Sequence, residues 1–166
     1  MRRGAHIAVE RLRVQSISTW AMACIGPYSQ AAWVGNLFLS AGVLGLLPHT
    51  MTFPTAAEAQ VAVRAAAEAA AEGSEEGEAD VAVDHVVASV SQDWEAELWM
   101  LMRSLHNVLE EMRTGLASAC LVQIYVSSAA EWAMAAIAEQ TLAYCARAGR
   151  EARPLVTCAV VPRLPK

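Results

Sequence analysis

Lysine is almost missing from this chain: of 166 residues only the terminal Lys166 is one, and the remaining basic residues are arginines scattered from end to end. No cationic stripe tracks along any segment, so the composition argues against a dedicated nucleic-acid binder. Charge of either sign is thin, at 17% against roughly 25% in an average soluble domain, and aromatic residues make up only 6%. The four cysteines (Cys24, Cys120, Cys145, Cys158) form no CxxC pair and no Cys/His spacing suited to zinc. Nothing resembles a secretory leader, and a reducing cytoplasmic setting is the expectation. His6, His49, His85 and His106 lie far apart, none in a metal or nucleophile–base motif, and there is no glycine-rich phosphate loop. Neither a metal nor another cofactor is expected. The longest apolar run, Ala31–Leu47, falls short of the roughly 20 residues a membrane span needs. Gly35-Asn36 interrupts it and Pro48 ends it, so it reads as two buried strands rather than a membrane helix.

What the chain has in excess is alanine, which carries the hydrophobic fraction to 55%. The length suits one compact domain over 1–166. Net charge is −5, but residues 55–92 hold eight acids against Arg64 alone, a local balance of −7 that leaves the rest near +2. That segment opens alanine-rich, with high helix propensity and almost no large apolar residue to dock, and runs into Glu72-Gly73-Ser74-Glu75-Glu76-Gly77-Glu78. It reads as a mobile low-complexity insertion.

Alternation over Arg11–Ser18 predicts a strand, and Ala31–Val34 with Leu37–Gly42 predicts a hairpin around Gly35-Asn36. From Trp94 through Leu98, Leu101, Leu105, Val108, Leu109 and Met112 the apolar period is helical, with Gly115 expected at the C-terminal cap. Trp94, Trp99 and the Met100–Met102 run fit a core face better than a partner groove. Cys120–Val126 predicts a strand, Ser127-Ser128 a cap, Ala129–Ala148 a helix docked through Met134, Ile137 and Cys145, and Leu155–Val161 a last strand. The order is α+β, a mixed sheet with two helices on one face.

Three stretches carry a resemblance: Ile25-Gly26-Pro27-Tyr28-Ser29-Gln30-Ala31, Val34-Gly35-Asn36-Leu37-Phe38-Leu39-Ser40-Ala41-Gly42, and Arg163-Leu164-Pro165-Lys166. Together they resemble the RidA/YjgF family, also labelled endoribonuclease L-PSP, over everything but the 55–92 insertion. Val14-Gln15-Ser16-Ile17-Ser18-Thr19-Trp20-Ala21 leading into Cys24 looks most like the RidA-like domains fused to eukaryotic diphthine–ammonia ligases. The resemblance implies a chorismate-mutase-like fold, a homotrimer, and a small-molecule ligand in each intersubunit cleft. Tyr28, Ser40, Gly42 and Cys158 would line that cleft. Each also has a plainer reading: Tyr28 as a loop anchor after Pro27, Gly42 as a bulge, Cys158 as a small buried hydrophobe.

The chain departs from the family's pattern where chemistry is expected. Deaminating members hold the carboxylate of a 2-imino acid on an arginine two residues before the motif cysteine. Anchoring on Leu164-Pro165-Lys166 sets Cys158 on that cysteine and Val156 on the arginine. Arg153 lies three residues from Val156, about 10 Å along a strand and turned to the other face. The familiar Ser-Gly-Gln reads Ala41-Gly42-Val43. Without a charge-assisted partner a bound carboxylate loses roughly 1.5–3 kcal/mol. The expectation is a RidA-like binding or assembly domain related to diphthamide synthesis, with no catalytic residue assigned. The alternative is a 2-iminobutanoate/2-iminopropanoate deaminase, and endoribonuclease activity rests on the family label alone.

Overall fold

The structure, a computed structural model, describes residues 7–72, 90, 92–148 and 154–163. Three short strands, β1 (Val9–Leu12), β2 (Ala31–Val34) and β3 (Leu37–Ser40), form an antiparallel meander in the order β1-β2-β3. Val34 pairs with Leu37 across a two-residue turn whose first residue, Gly35, has φ +60°. A positive φ at that position alone is the pattern of a type II′ turn, which matches the twist of the strands it joins. Trp33 faces Glu10 and Phe38 in register, and the Trp33 and Phe38 rings meet edge to face at 5.4 Å.

The first strand is earlier and shorter than the alternation over Arg11–Ser18 predicts. Pairing stops at Leu12, because the next inward amide, Val14 N–H, donates to the side-chain Oε1 of Gln30 at 2.7 Å instead of to a neighbouring strand. Gln30 then returns its own amide nitrogen Nε2 to the Met22 carbonyl. One buried side chain thus replaces a ladder and holds the 14–22 loop against the sheet.

A second sheet is parallel: β4 (Leu121–Ser127) pairs with β5 (Leu155–Val161), Leu121 opposite Leu155 and Ile124 opposite Cys158. Among the described residues the two sheets share no backbone hydrogen bond, so mixed pairing is distributed over two sheets rather than one. The helices are α1 (Ala56–Glu72), α2 (Asp93–Glu111) and α3 (Met134–Ala148). Trp99 and Met102 of α2 are fully buried in a core shared with Ile137 and Tyr144 of α3 and with Ile124 and Val126 of β4, and Cys145 of α3 is also fully buried. A smaller cluster sets Val108 of α2 and Met112, which caps its C-terminus, against Val14, Ala21, Ala31 and Trp33. Helices therefore cover one face of each sheet. On the other faces Val9, Leu37 and Leu39, and Leu121, Tyr125 and Leu155, are exposed.

Three local expectations change. The stretch read as an undocked insertion begins as α1, whose Ala59 is fully buried and whose Ala56, Ala62 and Val63 pack on the main core. Small residues dock by letting the helix approach closely. Thr55 and Glu58 close the start of α1 reciprocally, Thr55 N–H donating to Glu58 Oε2 at 2.9 Å and Glu58 N–H to Thr55 Oγ1 at 3.3 Å. The Thr55 N–H, and then the Thr55 hydroxyl at 2.8 Å, both donate to Glu58 Oε2 and hold its carboxyl below its ordinary range. The rest of the acidic run, 73–89, lies outside the described residues.

Neither Ser127 nor Ser128 caps the last helix. Residues Ser128–Ala133 form a short 3₁₀ turn, Ser128 Oγ donates to the Pro162 carbonyl at 3.3 Å, and α3 starts at Met134. The left-handed residue ending α2 is Arg113, φ +57°, not Gly115, whose φ is −154°. Thr114 N–H donates to Leu109 O and Arg113 N–H to Glu110 O, which together make a Schellman motif. Arg113 Nη2 contacts both carboxylate oxygens of Glu10, at 2.9 and 2.8 Å. An L-residue in this region costs about 1–2 kcal/mol, and an exposed ion pair returns about 0.2–1 kcal/mol, so this arginine does not stabilise the turn relative to glycine.

Candidate functional site

The Gly26-Pro27-Tyr28 turn closes with Tyr28 N–H donating to the Gly26 carbonyl at 2.8 Å. Cys24 Sγ donates to Tyr28 O at 3.2 Å, fixing the same turn. The tyrosine ring is left on the surface, beside a hollow lined by Met22, Ala23, Gln30, Gly42, Val43, Ser104 and Val108. So the structure brings Tyr28 and Gly42 together, as the motif reading expects of two cleft residues. The hollow is about 10 Å³ in the single chain, room for one water. Ser104, on α2, is buried on its wall, and its hydroxyl has no hydrogen-bond partner among the described residues.

Ser40 and Cys158 are not among the residues lining the hollow. Ser40 is exposed at the end of β3 with its hydroxyl donating to the Ala41 carbonyl at 2.9 Å. Cys158 lies on β5 opposite Ile124, and strand alternation puts it on the helix-covered face with Val156, which pairs with Val122. Burial pushes the Cys158 thiol above its ordinary pKa, the opposite of what a nucleophilic cysteine needs. Val156 is half-buried. Arg153 and Leu164-Pro165-Lys166 lie outside the described residues. Among the described residues no three of His, Cys, Asp and Glu stand close enough to hold a metal ion, and no helix is long and apolar enough to cross a membrane.

Two features escape a motif reading. Gln30 belongs to the quoted Gly-Pro-Tyr-Ser-Gln-Ala motif, but its side-chain bonds to Val14 and Met22 appear only in three dimensions. A second concavity of about 290 Å³ is lined by Ala8, Glu10, Trp33, Gly35, Met112 and Arg113. Its floor is the Trp33 indole, whose Nε1–H donates to the Met112 carbonyl at 2.9 Å. No spacing in the sequence hints at it, because Glu10 and Arg113 meet only through the packing of α2 on β1.

No protein-family model matches the chain, and no curated protein matches it. Solved structures do. The yeast protein YEO7 is 18% identical with a TM-score of 0.55, covering 95% of this chain and 89% of its own. A candidate endoribonuclease L-PSP from Entamoeba histolytica is 15% identical with a TM-score of 0.54, over 96% and 90%. A candidate endoribonuclease from Thermotoga maritima is 19% identical, also at 0.54, over 89% and 84%. These neighbours are YjgF/L-PSP proteins, and the chain has the α+β, chorismate-mutase-like fold that they share.

Proposed function

We propose that this chain is a small-molecule-binding domain of the RidA/YjgF kind, working as a homotrimer whose ligand sits where subunits meet, and lacking the arginine that clamps carboxylates in deaminating members. The observation that carries this reading is the hollow between Tyr28 and Gly42. It has cleft-motif residues on its rim and an unpartnered hydroxyl, Ser104, in its wall, yet one chain encloses space for a single water. A ligand of metabolite size needs a second wall. Exposed Leu37, Leu39, Leu121, Tyr125 and Leu155 on the helix-free sheet faces supply apolar surface for other copies.

Val156 opposes imine deamination, since it offers no charge to a 2-imino acid. The neighbours described as candidate endoribonucleases do not extend that activity here: the arginines are dispersed and no histidine pair or cationic groove is present among the described residues. The resemblance of Val14–Ala21 to ligase-fused domains supports a place beside an ATP-dependent diphthine ligase in a cytoplasmic setting. Loss of the gene would then leave unamidated diphthine on elongation factor 2, and unchanged diphthamide would sink that placement.

The deciding experiment measures ammonia and 2-oxo-acid release from freshly generated 2-iminopropanoate by the natural chain and by Val156→Arg. The natural chain is expected to run at least about tenfold slower than the variant. Equal rates would show that the carboxylate is held another way. Light scattering is expected to give three times the 17.7 kDa chain mass, and a monomer at micromolar concentration would remove the intersubunit cleft.

A further inference from the structure

We infer that the groove between β1 and the C-terminal end of α2 is a second ligand site, separate from the Tyr28–Gly42 hollow, and that it takes a zwitterionic α-amino acid with an apolar side chain. Four observations lead there. The groove is open and offers about 290 Å³, near the lower end of small-molecule sites and of a size for an amino acid. Its floor is apolar, made by Trp33 and the buried Met112. Its rim carries one charge of each sign side by side, with Arg113 Nη2 2.8 Å from Glu10 Oε2. Finally, Arg113 stands in the left-handed region where glycine is the comfortable residue, and the exposed ion pair does not offset that strain. Strain retained without a gain in stability is a mark of a functional position.

The chemistry of the rim selects the ligand class. Both contacts to Glu10 come from a single nitrogen, so Arg113 Nε and Nη1 make no hydrogen bond among the described residues. They remain able to donate to an incoming carboxylate, with Glu10 still in place to accept from the ligand's ammonium group. A ligand carrying only a carboxylate can reach Nε and Nη1 but sets its own negative charge beside that of Glu10 with no ammonium to offset it, and one carrying only an amine leaves its positive charge beside Arg113 unanswered. A zwitterion answers both charges at once and lays its side chain over Trp33 and Met112.

The test uses the full chain and L-leucine as probe, read by the Trp33 indole N–H resonance, which is assigned with Trp33→Phe. Leucine is expected to shift that resonance saturably. 4-Methylpentanoate, which lacks the amine, and 3-methylbutylamine, which lacks the carboxylate, are each expected to bind roughly tenfold more weakly or worse. Arg113→Gly relieves the backbone strain, so it is expected to keep or raise the melting temperature while weakening leucine binding by roughly tenfold or more. Glu10→Gln is expected to weaken leucine but not 4-methylpentanoate. The inference is overturned if leucine gives no saturable shift, if Arg113→Gly binds as tightly as the natural chain, or if the amine-free acid binds as tightly as leucine. A plain surface staple between Glu10 and Arg113 predicts a lower melting temperature for Arg113→Gly and no leucine binding, and that pair of results also overturns it.

Discussion

The hollow beside Tyr28 and the groove beside Arg113 both lean on α2, yet they are opposites. The hollow is the more enclosed of the two, mostly apolar and walled by a buried hydroxyl without a partner among the described residues. The groove is open and rimmed by a carboxylate and a guanidinium whose side chains are 54% and 75% exposed. The difference is in what carries each site: the hollow's motif residues lie in the 22–30 loop and in Gly42-Val43 just after β3, closed by Ser104 and Val108 of α2, whereas Glu10 and Arg113 are brought together from distant positions by the docking of a helix end on an edge strand. A contiguous motif finds the first kind of site and is blind to the second.

The largest effect that would break this contrast belongs to Gln30. Replacing it by alanine leaves the buried Val14 N–H without its acceptor, and urea unfolding is expected to show a loss of about 2–3 kcal/mol. A loss well under 1 kcal/mol would mean the loop does not depend on that clamp. Next comes Gly45, whose backbone lies against Glu97 of α2 so closely that an added Cβ would collide with the helix backbone. Gly45→Ala is expected to cost about 1–3 kcal/mol in the same measurement, and an unchanged midpoint would refute the close approach.

A smaller effect follows from Glu97 itself, whose partial burial raises its carboxyl pKa. A folded-state value above the unfolded one contributes stability that is complete below the unfolded pKa and lost as pH rises through the folded one. Glu97→Gln is therefore expected to raise the melting temperature at neutral pH and to flatten its fall across the weakly acidic range. An identical pH profile in the variant would contradict the assignment. The smallest effect sharpens the hollow. Ser104→Ala removes an unpartnered hydroxyl and is expected to leave stability unchanged or slightly higher, whereas a loss above about 1 kcal/mol would show that the hydroxyl is satisfied in solution by a bound water.

Much of the architecture was legible because it rests on local periodicity. The hairpin at Gly35-Asn36, the amphipathic α2 and β5 over Leu155–Val161 follow from alternation, helical spacing and turn residues. What escaped was whatever depends on a side chain standing in for backbone, or on the absence of bulk. Gln30 cut β1 short by taking the bond a strand would have taken. The docking of α1 went unread because Ala59 packs by being small, although Thr55 and Glu58 do carry a cap signature. Arg113 took the left-handed position that Gly115, two residues on, was expected to fill. At the hollow, Tyr28 and Gly42 were legible as motif residues, while Ser104 was hidden on a helix face that composition alone marks as core.

Helix α2 is closed at both ends by its own flanking residues: Gln92 N–H donates to Glu95 Oε2 at 3.1 Å at the start, and the Arg113–Thr114 turn returns two amides to Glu110 and Leu109 at the finish. The parallel pair β4–β5, by contrast, must wait for contacts 34 residues apart, as between Leu121 and Leu155. Short-range closure is entropically cheap and long-range pairing slow. Helix α2 thereby sets both of its ends without a distant partner, whereas β4 and β5 can pair only once the intervening chain has brought them together.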